Sequence, residues 1–277
     1  MNRTAKVWLH NALLALLALV VLAPLLWTAL ASLLPPGAAM SVRAAPQDQP
    51  DAASFTLNNY RQLFSRLSLG RYFLNSVIVA TAITVISLGL NSLAGYAFAK
   101  LRFRGRDTVF KVLLAALVVP VQAAMLPLFL QLKQLGVINS YWGVIIPSMA
   151  TIYGIFLVRQ YALSIPDSLL DAARVDGAGE WRIYRSVVLP LLTPVLAALG
   201  VFTFLTAWND FMWPLVVLTG NDSYTLPVAL AILSGEHVQD VELMMAGSVV
   251  TILPVLLLFA VLQRQLIGGI MMGSVKG

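Results

Sequence analysis

Six runs of predominantly apolar residues, each 20 residues or longer, dominate this 277-residue sequence: 9–34, 72–98, 109–132, 141–161, 191–218 and 243–262. A helix needs about 20 such residues to cross about 30 Å of hydrocarbon. Backbone N–H and C=O groups must be hydrogen-bonded within the segment there, because lipid offers no partner. The runs therefore predict an all-α membrane protein with six transmembrane helices. Their interiors carry almost no charge: Lys111 lies near one start, Arg159 near one end and Asp210 inside the fifth. Charged residues make up only 11% of the chain and hydrophobic ones 59%. A soluble domain is about 25% charged, so lipid must cover much of this surface.

The same composition excludes several chemistries. Cysteine is absent, which removes disulfides, thiol nucleophiles and thiolate metal sites. His10 and His237 are the two histidines, too far apart in sequence for a histidine metal cluster. The first run has a basic start in Arg3 and Lys6 and small residues at Ala38 and Ala39, as a cleaved signal peptide would. Its apolar stretch exceeds the about 7–15 residues of a signal core, which favours a retained helix.

The net charge of +6 is distributed between the apolar runs, where it sets orientation rather than nucleic-acid binding. With the N-terminus in the cytoplasm and each run reversing the side, 13 of the 18 Lys and Arg fall on the cytoplasmic face and 5 outside. Both termini are then cytoplasmic, as an even number of crossings requires. Pro120, Pro127, Pro147, Pro214 and Pro254 lie inside runs and predict bends. Bent helices suit a protein that moves around a cavity, but proline is also ordinary in membrane helices; both readings stand.

The loops are informative. The first outer segment, 35–71, begins as irregular Pro-, Ala- and Gln-rich chain. From Thr56 it reads as a short capped helix with Leu57, Tyr60, Leu63 and Phe64 on one face, lying on the outer membrane surface or on a partner subunit. The basic loop Lys100-Leu101-Arg102-Phe103-Arg104-Gly105-Arg106 is either an anchor at anionic headgroups or a partner-docking element. The segment 164–190 reads as helix, turn, helix. Pro166 stops the preceding span, Asp167 or Ser168 can cap a new helix, and Leu169, Leu170 and Ala173 give it an apolar side. Gly177 and Gly179 permit a sharp turn, and Trp181, Tyr184 and Val188 mark the second helix, which re-enters the membrane at Leu189-Pro190. The adjacent small residues Ala172 and Ala173 would let another protein approach the backbone closely.

Asp171-Ala172-Ala173, Asp176-Gly177-Ala178 and Leu189-Pro190 together resemble the EAA loop of bacterial ABC importer membrane subunits. The departure is Asp171 where that family has Glu, which keeps the charge and shortens the reach by one methylene. Asn58-Asn59-Tyr60, Phe73-Leu74-Asn75-Ser76, Gly95-Tyr96-Ala97-Phe98-Ala99-Lys100 and Ala207-Trp208-Asn209-Asp210-Phe211-Met212-Trp213-Pro214 look like the carbohydrate branch, the maltose and glycerol-phosphate importers. The Gly-rich stretch 266–277 resembles the cytoplasmic tail of the smaller maltose-importer permease. The resemblance implies a single type I importer permease domain over 1–277 in the bacterial inner membrane. In that family the loop is a coupling helix that docks on a separate ATPase, so Asp171, Ala172, Ala173, Asp176, Gly177 and Ala178 would be the ATPase-coupling residues. Two ATP-binding-cassette ATPase subunits, a second permease subunit, an extracytoplasmic solute-binding protein and a sugar-like solute are the implied partners. No glycine-rich Walker A pattern occurs in the sequence. The chain is thus expected to hold no cofactor, with ATP bound by the partners.

Asn209 and Asp210 interrupt the fifth run. A charge at the bilayer centre costs at least about 2.5–3.5 kcal/mol. Asp210 is therefore expected in the outer half of the membrane, facing water, a cavity or a cationic partner. Two readings stay open: Trp208, Asn209 and Asp210, with Trp213, line the solute path, or they form a buried polar contact between subunits with both tryptophans in the interfacial belt. An ion-coupled secondary transporter is the alternative to the importer, but it would need more intramembrane ionisable groups. An intramembrane metalloprotease would need a His-Glu-x-x-His motif, and a channel a pore motif; neither is present. The sequence does not name the solute.

Overall fold

The computed structural model describes residues 3–41, 55–65, 67–236 and 240–274. Among these, helices are the only regular structure. In chain order they are α1 (Arg3–Ala31), α2 (Ala38–Ser41), α3 (Asn58–Ser65), α4 (Leu69–Lys100), α5 (Arg106–Ala116), α6 (Val121–Gln134), α7 (Tyr141–Ser148), α8 (Ile152–Leu163), α9 (Asp167–Val175), α10 (Glu180–Ile183), α11 (Leu189–Trp208), α12 (Met212–Val217), α13 (Leu226–Glu236) and α14 (Val241–Ser274). A π-turn, Tyr184–Val188, joins α10 to α11 without a break.

Four continuous helices are long and apolar enough to cross a membrane: Val7–Ala31, Leu69–Lys100, Glu180–Trp208 and Val241–Val261. Two bent pairs bring the candidate spans to six if each pair is one span. The third run is not one helix, because α5 and α6 meet at 105°. There Leu117, Val118 and Val119 donate to carbonyls three residues back, and Pro120 in extended conformation (φ −60°, ψ 130°) ends the turn. The fourth run divides into α7 and α8 at 41°, where Thr151 Oγ1 accepts from Gly154 N and caps the second half. The fifth run stops at Trp208 rather than at 218, and α12 is a separate short helix. The apolar helix α13 has no counterpart among the six runs, because its 11 residues fall short of a span.

The chain divides into two compact units, one made from residues up to Arg71 with Ala229–Pro254, the other from Tyr72–Val228 and the residues from Val255 onward. In the first unit, α1 buries none of its apolar window inside the chain; lipid or another subunit must cover it. The α3 helix starts as expected, with Thr56 Oγ1 accepting from Asn58 N at 3.1 Å. Its inward face, however, is Asn59 and Leu63, while Leu57 and Phe64 are exposed. Polar demand explains the rotation: Asn59 Nδ2 donates to the Ser32 and Leu34 carbonyls freed beyond the end of α1, at 2.9 and 2.8 Å. The irregular stretch expected before it lies mostly at 42–54, outside the described residues, as do Arg66, His237 and residues 275–277 of the tail.

In the second unit α4 packs closely on α8. A Cβ added at Gly95 would stand 2.6 Å from Val158 Cγ1, so only glycine allows this approach. Small residues serve helix contacts in lipid in this way, because apolar burial gives little advantage there over the acyl chains. One buried cluster gathers Val158, Ala162, Leu170, Ile183, Val188 and Leu192 around that contact. A second, around Val79, Leu132, Val144 and Val217, joins α4, α6, α7 and α12. At that end Asn75 Nδ2 donates to the Asp222 and Tyr224 carbonyls, its Oδ1 accepts from Tyr141 OH, and Ser76 Oγ accepts from Leu226 N.

Candidate functional site

The segment 164–190 is built as its sequence requires. Pro166 occupies the position before α9 and supplies no side-chain cap. Neither Asp167 nor Ser168 caps the helix. Asp167 is its first residue, and its carboxylate accepts from Lys100 Nζ at 2.7 Å. The Lys100 ammonium holds the Asp167 carboxyl below the usual carboxylate range. Lys100 Nζ also donates to the Ile165 carbonyl at 2.6 Å.

The far end of α9 is a Schellman stop. Gly177 N donates to the Arg174 carbonyl and Ala178 N to the Ala173 carbonyl, both at 3.0 Å. Gly177 sits at φ +77°, a conformation that strains any residue with a Cβ. Gly179, at φ −72°, has no such need, so Gly177 alone makes the turn. Ala173 and the Asp176-Gly177-Ala178 triplet thus terminate the helix, whatever else they do.

α9 commits little surface to its own chain. Leu170 is buried and Ala173 half-buried, whereas Leu169, Asp171, Ala172, Val175 and Asp176 are exposed, Val175 at 88%. Trp181 is exposed as well, although Tyr184 and Val188 of the second helix are buried as expected. Arg174 bridges the turn: its NH1 atom (Nη1) donates to Asp171 Oδ1 at 2.8 Å and its Nε to Glu180 Oε1 at 3.0 Å. Glu180 Oε2 accepts from Tyr96 OH at 2.8 Å. The π-turn follows directly. Pro190 cannot donate to the carbonyl four residues back, and Leu189 N reaches Tyr184 O instead. Sequence reasoning had given none of Tyr96, Lys100 and Glu180 a role here, although Glu180 lies within the segment. The signal for Tyr96 and Lys100 was a polar residue at or just past the end of an apolar run.

Asn209 and Asp210 do not sit within a helix. Asn209 is the C-cap of α11, its Nδ2 donating to the Leu205 carbonyl at 2.8 Å. Asp210 occupies the break before α12, where its Oδ1 lies 3.4 Å from Trp213 N. Two cavities meet at this break. One, of about 250 Å³, is lined by Thr151, Tyr153, Phe202 and Thr206 among others; the second, of about 300 Å³, by Gln122, Met125 and Met212; Ser148 and Asp210 line both. Trp208 lines neither. It is 1% exposed, stacked on Phe204 and met edge-on by Phe73. Trp213 is also buried, its Nε1 donating to the Gly143 carbonyl at 3.1 Å. Trp208 is thus packed away from both cavities, whereas Trp213 lines the second. Among the described residues no cluster of His, Asp or Glu could hold a metal ion.

Comparison with known proteins places this architecture. Residues 91–267 match the family model of the binding-protein-dependent transport system inner membrane component. The chain is 40% identical over 271 residues to the arabinooligosaccharides transport system permease protein AraQ of Halalkalibacterium halodurans, covering 98% of this chain and 96% of that one. It is 34% identical over 272 residues to the diacetylchitobiose uptake system permease protein NgcG of Streptomyces coelicolor, covering 97% and 88%. Its fold matches a chain of a bacterial ABC transporter involved in the import of the acidic polysaccharide alginate, with a TM-score of 0.80 and 24% identity over 95% of this chain and 98% of that one.

Proposed function

The chain belongs to the family of binding-protein-dependent transport system inner membrane components, and from that premise we propose that it passes a sugar or sugar-like solute into the cytoplasm under the drive of separate ATPase subunits. Like its relatives it is a transport permease and not an enzyme. The observation that carries the energy-coupling half is the surface of α9. Leu170 anchors the helix to the membrane domain, while Leu169, Ala172 and Val175 are exposed among the described residues. An exposed apolar face on a loop assigned by its cations to the cytoplasm marks an interaction site. In this reading Asp171 to Ala178 seat in an ATPase subunit, two such subunits bind ATP, and this chain holds no cofactor of its own.

A second permease subunit would complete the membrane pair, and an extracytoplasmic binding protein would deliver the solute. The names of both relatives, each an oligosaccharide permease, support a sugar-like cargo. The whole chain would act as one permease domain of the bacterial inner membrane, with both termini, the 164–190 loop and the 266–277 tail on the cytoplasmic side. Asn209 and Asp210 would contribute to the solute path, with Asp210 reaching the cavities and Trp208 supporting the break from behind.

Uptake by the purified complex in proteoliposomes tests the reading, with a panel of neutral oligosaccharides outside and ATP inside. The expected result is ATP-dependent accumulation that Ala172→Arg abolishes together with co-purification of the ATPase, the permease itself remaining folded because residue 172 is exposed. Accumulation driven by an ion gradient without nucleotide would favour the secondary-transporter alternative. Asp210→Ala is expected to reduce uptake while the complex still assembles; unchanged uptake removes Asp210 from the path.

A further inference from the structure

Tyr96 and Lys100 are four residues apart on α4 and so lie on one face. Together they hold both ends of α9. Lys100, whose side chain is only 6% exposed, grips Asp167 and the Ile165 carbonyl at the N-terminal end. Tyr96 grips Glu180, which in turn holds Arg174 at the C-terminal end. The covalent connections alone would not fix α9 in this way. Ser164 to Pro166 and the Gly177 turn would let it pivot without moving α4.

The same helix continues to the cavities. Asn91, fully buried on α4, accepts from Thr151 N at 3.0 Å through Oδ1 and donates to Thr151 Oγ1 at 3.2 Å. Thr151 caps α8 at the α7–α8 break and lines the cavity that Asp210 also lines. Between Tyr96 and Asn91, Gly95 brings α4 into close contact with Val158 of α8. Resting on the reading of α9 as the element the ATPase moves, we propose that Tyr96, Lys100 and Glu180 are positioning residues that clamp α9 to α4. Displacement of α9 then moves α4, and Asn91 delivers that movement to the α7–α8 break beside Asp210.

The clamp differs from a structural role in what it changes. A structural residue alters the amount of folded complex; a clamp alters how much solute moves for each ATP hydrolysed. The experiment measures uptake and hydrolysis in the same proteoliposomes for the complex bearing Tyr96→Phe, Glu180→Gln or Lys100→Met. Hydrolysis is expected to persist while solute moved per ATP falls about fivefold or more, the low end of coupling energies between linked sites. Glu180→Gln keeps an acceptor for Tyr96 but loses the charge that holds Arg174, so the two changes act on one chain of bonds and the double variant is expected to cost less than the sum of the singles. Lys100→Arg, which keeps the charge and its donors, is expected to restore coupling. An unchanged ratio in both Tyr96→Phe and Lys100→Met overturns the proposal, as does a loss of uptake and hydrolysis in proportion to lost complex. Nucleotide-independent uptake by the unsubstituted complex would overturn the underlying coupling reading instead, and it is read on a different sample.

Discussion

Neighbouring leucines on α9 divide between the fold and the surface proposed to meet the ATPase. Leu170 is 1% exposed within the cluster of α8, α10 and α11, while Leu169 is 46% exposed. Leu170→Ala should leave a cavity and destabilise the permease by about 2–5 kcal/mol. Leu169→Ala should leave thermal unfolding of the purified permease unchanged within about 0.5 kcal/mol yet weaken retention of the ATPase during purification. Equal unfolding temperatures for the two variants would show that α9 is not seated as described. The sequence could not separate these residues. Leu169, Leu170 and Ala173 are all apolar at helical spacing, and which of them turns inward depends on how Lys100 and Pro166 set the start of the helix. Gly177 was legible because a left-handed residue leaves a specific mark in sequence. Gly179 carried the same mark with no such need.

The six apolar runs were legible because lipid imposes a length and forbids charge, and hydropathy reports both. Direction is not recorded in hydropathy, so the 105° bend at Pro120 and the break at Thr151 were invisible within continuous apolar stretches. Asn209 and Asp210 were read as an intrusion into a helix for the same reason, although they end it. Polar residues inside apolar runs were the unused signal. Asn75, Asn91 and Ser92 all occupy buried positions on α4, and the first two satisfy backbone groups exposed by breaks or loops in neighbouring chain. This leads to an element-scale expectation. Asn91→Leu replaces the polar amide with a somewhat bulkier apolar side chain and leaves the Thr151 N–H without its acceptor. An unpaired buried donor costs about 1–3 kcal/mol. The purified variant should unfold at lower temperature. Thr151→Ala shares with it only the Asn91 Nδ2 to Thr151 Oγ1 bond and also removes the cap on Gly154 N, so the double variant should cost less than the sum of the singles. Full additivity in that double-variant cycle would detach α4 from the α7–α8 break.

Across the whole molecule, sidedness is the property from which the coupling argument takes its sense, and it rests on cations alone. With 13 of 18 Lys and Arg on one face, the free-energy bias of insertion favours that face as cytoplasmic. α1 has none of its apolar window buried in its own chain, so its length and hydropathy alone suffice for insertion of the first crossing. The absence of cysteine makes the arrangement directly measurable, since any introduced cysteine is the chain's only thiol. Asp176→Cys lies on the exposed end of α9 and Ser65→Cys at the end of α3, on opposite faces under the predicted topology. A membrane-impermeant thiol reagent applied to intact cells should label Ser65→Cys and spare Asp176→Cys, and inverted membrane vesicles from cells lacking the ATPase subunits, which the proposed docking would place over residue 176, should reverse the pattern. If Asp176→Cys is labelled from outside, α9 faces away from the nucleotide pool, and no ATPase in the cytoplasm could reach the helix that Tyr96 and Lys100 hold.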